Sequence, residues 1–409
     1  PIDMYKLGKT FVLALFAVFA FSCSGEKESA DNDSTNILAD FSFSVDTVII
    51  DPGEEIINLS QGIRRSALSE NKKYLYVSDN TSTLVNKVNL DELKLESILQ
   101  FEKEGPNGIG EYLSSFDVYP GEEFFFGSFR TSGLFNAQGE KIMDLTPKAE
   151  ELEIEGIKEE FKYSLTNHLT LSSDKSEMYA LPGDFLEGTR KLIKIDRDFK
   201  TGKLFDLPAL EIAGQYRIVL QSNDAMSIYM EDIDLQKIDN HYFLTAGPTN
   251  KIYRFYPELD SLQLLEYSFS IVPNQKERPI SNTVSSQEEF QSEMEKARTQ
   301  IGFEKLIYDD KSERYYRFGR IYQAREDKEA PLKAQVFLFA FDKNLKLIGE
   351  TEIPELDRVP LSAFFKDGKL WSYVNMNDEL GFAVFDFVSV PKNNGRRNPS
   401  ERDIKINNL

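Results

Sequence analysis

The sequence predicts an all-β chain arranged as a six-bladed β-propeller. Three observations lead there. Runs of four to eight residues, rich in aromatic and β-branched side chains, alternate with Gly, Asn, Asp and Pro turns; Tyr74-Leu-Tyr-Val-Ser78 and Gln335-Val-Phe-Leu-Phe-Ala-Phe341 are examples. Sustained helical periodicity is scarce. A loose four-strand unit recurs about every 40 to 50 residues: opening strand, Asp/Asn/Gly turn, aromatic strand, strand carrying Lys or Arg, last strand.

The units fall near 62–101, 109–146, 164–208, 227–268, 302–353 and 359–389. The first runs from Ser66-Ala-Leu-Ser into Lys73-Tyr-Leu-Tyr-Val, then Leu84-Val-Asn-Lys-Val and Leu95-Glu-Ser-Ile-Leu. The last shows only three strands. The run Phe41-Ser-Phe-Ser-Val-Asp-Thr-Val-Ile-Ile50 precedes the first unit with nothing beside it to pair. It is expected to supply the missing outer strand and close the ring, which also removes an exposed edge. A β-sandwich or a pair of β-domains is the alternative that such diverged repeats leave open.

Two insertions depart from the strand texture. Ser286 and Glu289 have capping-box spacing, and Phe290, Met294, Ala297 and Ile301 form one apolar stripe ahead of Gly302. They predict a short helix over 286–301 that packs on the scaffold. Pro147 is placed to open another helical turn.

The N-terminal segment reads as an export signal. Lys6 and Lys9 precede an 11-residue apolar run, Phe11 to Phe21, which is half the roughly 20 residues a membrane span needs. Ala20-Phe21-Ser22-Cys23 is similar to the bacterial lipobox, with small Ser22 before the chain's only cysteine; Phe21 departs from the usual pattern. Met4 is read as the start. The expected organisation is a lipoprotein signal over 1–23 ending at a lipid-carrying Cys23, a polar tether over 24–40, a propeller over 41–390 and a loose tail over 391–409. The membrane is then a partner through the lipid. With Cys23 so used, no thiol remains for a disulfide or a thiolate site.

The chain carries 48 basic and 68 acidic side chains, formally −20. That balance repels phosphates and argues against a nucleic-acid partner. Only two histidines occur, His168 and His241, in no zinc-binding spacing. No Gly-x-Ser-x-Gly elbow occurs. Gly105-Pro-Asn-Gly-Ile-Gly110 lacks the Lys-Ser/Thr of a phosphate loop and is read as a tight turn. Neither a metal nor a cofactor is expected. Carboxylate pairs such as Glu231/Asp232/Asp234, Asp309/Asp310 and Glu102/Glu104 carry little information among so many acids.

The residues chosen as ligand candidates lie on opening strands and inter-unit loops, which in a propeller gather at one channel mouth. They are Arg64 or Arg65, Asn107, Tyr112 and His168. Cation, amide, phenol and imidazole together would suit an acidic sugar or a peptide carboxylate. Pairing with nearby acids is the plainer role for the same residues. A binding or scaffolding role is favoured over an enzyme; the alternative is a carboxylate-based glycan hydrolase or lyase at the channel mouth.

The segment Phe101-Glu-Lys-Glu-Gly-Pro-Asn-Gly-Ile-Gly110, the lipobox-like start and the unit spacing together resemble a group of Bacteroidetes envelope lipoproteins, domain of unknown function 4221. The resemblance covers about 41–390 and implies a six-bladed, TolB-like propeller. It brings no catalytic residues with it. In such lipoproteins Ser24 is consistent with outer-membrane sorting, facing the periplasm or the surface, where an anionic glycan, a peptide or an envelope protein would be the partner.

Overall fold

The protein is represented by a computed structural model. It describes residues 36–388 except 80, 129, 149–150, 156–163, 166–167, 185–187, 197, 199, 222–225, 232, 239 and 326–329. The expectations for Cys23, the signal, the tail and most of the tether lie outside the described residues, as does part of the turn expected at Pro147. Packing begins before Phe41: Asn36 to Asp40 form a turn, Leu38 is buried, and the Asn36 amide donates to Glu350 O at 2.8 Å.

Among the described residues, antiparallel strands gather into six main sheets. Five are up-and-down units running from Ser66–Leu68 to Lys94–Gln100, Leu113–Tyr119 to Lys141–Asp144, Thr170–Leu171 to Thr201–Asp206, Ile233–Ile238 to Ser261–Leu265, and Gly302–Asp309 to Leu347–Glu352. Each falls within one expected unit. The third gains a parallel edge strand, Glu153–Glu155. The sixth has three strands of its own, Phe364–Lys366, Lys369–Met376 and Glu379–Val388. Its fourth is Ser42–Ile49, antiparallel to Glu379–Val388 with Ser42 opposite Val388 and Ile49 opposite Gly381.

Alternation along each second strand explains how the sheets pack. Successive side chains point to opposite faces, and here both faces are covered. In Glu123–Ser128, Phe124 and Phe126 pack with Tyr76, Val85 and Phe101 of the first sheet. Phe125, between them, packs with Leu171, Met178 and Ile193 of the third. The third and fourth sheets share Tyr179, Leu192 and Leu244, and the fourth and fifth share Phe243, Ile252 and Phe339. The fifth and sixth share Phe318, Leu338 and Phe385. Trp371 and Phe382 of the sixth pack against Leu75, Val77 and Val88 of the first. Each fully buried Phe contributes on the order of 2–3 kcal/mol, so every sheet depends on both neighbours.

Arg317 ties two sheets without an acid. It is fully buried on the second strand of the fifth sheet. Its guanidinium donates to Glu304 O at 2.6 Å and, across to the fourth sheet, to Asn250 O in a loop at 2.9 Å and to Ala246 O at a strand end at 3.2 Å. Burial pulls its pKa down to about 9, which leaves it charged at neutral pH.

The glycine segment is a tight turn, as expected. Gly105 and Gly110 have φ of 89° and 87°, and a Cβ on Gly108 would lie 2.8 Å from the Glu104 backbone. The expected helix forms over Gln287–Arg298, with the Ser286 side chain accepting from Glu289 N at 3.1 Å. It packs on a three-stranded mixed sheet, Ile218–Gln221, Met226–Tyr229 and Thr283–Val284, through Phe290, Ile218 and Val284. The sequence reading did not foresee that sheet. Ile301, assigned to the helix stripe, packs instead between the fourth and fifth sheets. No helix among the described residues is long and apolar enough to cross a membrane.

Removing residues 36–49 strips the partner from Glu379–Val388 and exposes an apolar edge. The truncated protein is expected to aggregate or lose cooperative unfolding, read by size-exclusion chromatography and thermal melting. A truncated chain that stays monomeric and melts at the wild-type midpoint would refute this dependence.

Candidate binding site

One cavity of about 640 Å³ is lined by residues of all six main sheets. Ser66, Asp117, Ser173, Lys237, Tyr308 and Phe364 contribute one from each. Every opening strand or the turn after it therefore reaches the same space. Beside it, Lys72 of the first sheet's turn pairs with Asp310 of the fifth sheet's turn at 2.9 Å.

The polar part of this cavity is built from three sheets. Asp117 and Tyr119 are two residues apart on the second sheet's opening strand and share a face. Both turn to the third sheet. The Thr170 hydroxyl donates to Asp117 Oδ2 at 2.7 Å. The Tyr119 hydroxyl donates to Leu171 O at 3.0 Å and accepts from Leu171 N at 3.1 Å. Lys237, from the fourth sheet, donates to the same Leu171 O at 3.3 Å and lies 4.3 Å from the centroid of the Tyr119 ring.

Asp117 and Lys237 interact electrostatically without reaching contact distance. Asp117 is half-buried, and part of its surface faces the cavity. Desolvation raises its pKa against the pull of Lys237 and Thr170. Desolvation lowers the Lys237 pKa, and Asp117 opposes that. Burial also raises the Tyr119 hydroxyl well above its ordinary value, so it stays protonated and keeps donating.

The residues chosen from sequence are not gathered in this cavity. Arg65 and Tyr112 line a separate cleft of about 350 Å³ between the first two sheets, with Asp79, Lys103 and Glu111. Tyr112 is 86% exposed there, so it offers a ring to that cleft. Arg64, next to Arg65, is exposed. Asn107 holds the glycine turn to the second sheet, its side chain accepting from Lys141 N at 3.0 Å. His168 stands before the third sheet's opening strand, with Nδ1 4.0 Å from Asp234. Only Arg65 and Tyr112 thus share a lining. His241 opens a strand and stacks near Phe243, centroids 6.3 Å apart.

Asp117, Tyr119 and Lys237 were missed from sequence. Lys237 sits in Ile233-Asp-Leu-Gln-Lys-Ile238, where a lysine on an alternating strand looks like a solvated face. No local signal marks it, because its partners lie 66 and about 120 residues away.

Asp117 yields a pH-dependent expectation. A folded pKa above the unfolded one, about 4, gives stability that is complete below that value and lost as pH rises through the folded value. Asp117→Asn keeps an acceptor for Thr170 and removes the loss. The variant is expected to melt above wild type at about pH 7 and level with it at about pH 3. Thermal melts at both pH values check this, and a variant less stable at neutral pH would contradict it.

No curated protein matches the chain. Among solved structures, it is similar to that of a DUF4221 family member from Bacteroides vulgatus, at 14% identity and a TM-score of 0.62 over 85% of this chain and 98% of that one. At that identity the likeness shows the fold alone. More distant are a candidate exported protein of Bacteroides fragilis (9% identity, TM-score 0.45, 85% and 95% covered) and the Pan2 WD40 domain of Neurospora crassa (9%, 0.38, 78% and 87%). The profile described as Domain of unknown function (DUF4221) matches residues 38–352, most of the chain, which therefore belongs to that family.

Proposed function

We infer that the protein is a lipid-anchored envelope protein whose six main sheets form a six-bladed propeller, closed by Ser42–Ile49, that binds a small polar ligand in its central cavity. The observation that carries this reading is the single cavity reached by all six sheets, with a desolvated ammonium, Lys237, facing it. Packing of the sixth sheet on the first supports a ring. Among the described residues no carboxylate lies at contact distance from Lys237, so a ligand carboxylate would be its natural counter-ion. An acidic glycan or a peptide C-terminus offers that group. Docking of an envelope protein at the cavity mouth is compatible with the same chemistry.

A second reading is favoured by one observation. Asp117, with its raised pKa, shares the cavity with Glu70, Tyr308 and Phe364. A carboxyl with a raised pKa in a cavity that also holds a second carboxylate and aromatic surface is the kind of pairing a glycan hydrolase or lyase uses. Binding remains the favoured reading, because Asp117 is engaged by Thr170 and by the field of Lys237. Turnover of an acidic oligosaccharide that Asp117→Asn abolishes would decide for the enzyme.

Two experiments test the main reading. Titration calorimetry with oligogalacturonate and with a short peptide bearing a free C-terminus should give saturable binding. Lys237→Met keeps the packing stem and removes the charge, and should weaken binding about tenfold or more, the scale of one charged hydrogen bond. Equal affinity in wild type and variant would sink the cavity as the site. Anchoring is tested by fractionation: wild type should sediment with membranes and Cys23→Ser should be released, and equal membrane association would overturn the lipid anchor.

A further inference from the structure

A second cleft lies toward the other end of the opening strands of the fourth and fifth sheets. It measures about 290 Å³, and the inserted helix forms one wall. Its charges are unusual for so acidic a chain. Lys276, Arg298, Lys305 and Arg320 face it with Glu231, Asp234 and Glu304. Three of the cations are matched: Lys276 with Glu231, Arg320 with Glu304, and Lys305 with Asp234 at 2.9 Å.

Arg298 is the surplus. It ends the helix, and its guanidinium lies 5.4 Å from the centroid of the Tyr229 ring. No carboxylate partners it among the described residues. Arg320 is held likewise, 5.4 Å from the Tyr322 ring. The two guanidinium charges are close enough to Lys276 to lower its pKa, below burial in effect and against the pull of Glu231. Planar forks laid on aromatic faces are pre-organised for a carboxylate.

The floor of the cleft lacks a donor. The Glu231 side chain is only 9% exposed, and its Oε1 accepts from the Tyr229 hydroxyl at 2.7 Å and from Lys276. Its Oε2 is buried with no hydrogen-bond partner. An orphaned carboxylate oxygen is costly unless something donates to it. Gly247 leaves the room: a Cβ there would sit 2.7 Å from Oε2.

We propose that this cleft binds a small hydroxylated carboxylate of the sugar-acid class, its carboxylate on Arg298 and a hydroxyl donating to Glu231. The site is separate from the central cavity and does not depend on the reading given to that cavity.

The test uses the mature full-length chain, calorimetry, and sodium D-glucuronate as probe, with D-glucose and inorganic phosphate as comparison arms. Glucuronate should bind saturably, glucose should not, and phosphate should bind more weakly. Arg298→Met, which keeps the stem over Tyr229, should weaken glucuronate binding about tenfold or more. In a Lys237→Met background, which removes the cation of the central cavity, glucuronate should still bind saturably and Arg298→Met should still weaken it about tenfold or more, which separates this site from the central cavity. Arg298→Lys keeps the charge without the fork and should recover only part of the affinity; it also guards against a misfolded methionine variant. Absent glucuronate binding, equal affinity in wild type and Arg298→Met, or phosphate binding as tightly as glucuronate would overturn the proposal.

Discussion

Period-2 alternation with both faces buried is the constraint on which the rest of this structure depends. Tyr76 packs toward the second sheet while Leu75 and Val77 pack toward the sixth. Phe125 and its neighbours Phe124 and Phe126 divide in the same way. A one-residue slip in any such strand would exchange the two sets and ruin two interfaces at once. Register in the second strands of the main sheets is therefore fixed from both sides. The opening strands inherit that rigidity, and with it the positions of Asp117 and Lys237.

Three buried or half-buried cations show how differently a charge can be accommodated here. Arg317 spreads its donors over three backbone carbonyls and lies over the Phe303 ring, so its charge is absorbed by the scaffold. Lys276 is held by Glu231 and by Ala297 O at 2.7 Å, which also caps the helix end. Lys237 has one long hydrogen bond and an aromatic face, with its carboxylate beyond contact. Incomplete compensation is what distinguishes a ligand-facing cation from a structural one. By that measure Arg317 belongs to the fold, and Lys237 and Arg298 fit the binding roles proposed for them.

The main sheets were legible because long, aromatic, alternating runs set them. The inserted sheet was not. Its strands Ile218–Gln221 and Met226–Tyr229 are four residues each, and Thr283–Val284 is two. The Thr283–Val284 pairing to Val219 and Leu220 is parallel and spans more than 60 residues of chain, a separation at which sequence periodicity carries no signal. The helix that covers it was legible from its cap and stripe, Ile301 excepted. Among the residues chosen from sequence, Arg65 and Tyr112 line one cleft, since both flank the first interface. Asn107 was misjudged for a local reason: an amide in a glycine turn caps backbone more readily than it meets a ligand. Asp117 and Lys237 could not be found, because their significance arises only when remote opening strands converge.

Convergence also bears on the binding role proposed for this scaffold. The Asp117 cluster is assembled from different sheets: Asp117 and Tyr119 come from the second, their partner Thr170 from the third and Lys237 from the fourth. The second carboxylate of this cavity, Glu70, comes from the first sheet's turn and makes no hydrogen bond to Asp117 among the described residues. The residues that reach this space from the fifth and sixth sheets include Leu306, Ile307, Tyr308, Phe364 and Phe365, which are apolar or aromatic. The wall opposite the charges is therefore a surface for a ring or an aliphatic face. A cavity with a cation and an acid on one side and aromatics on the other can orient an amphipathic ligand without any group moving. Pre-organisation of that kind lowers the ordering cost of binding, and it follows from the burial of each main sheet's second strand between two neighbours.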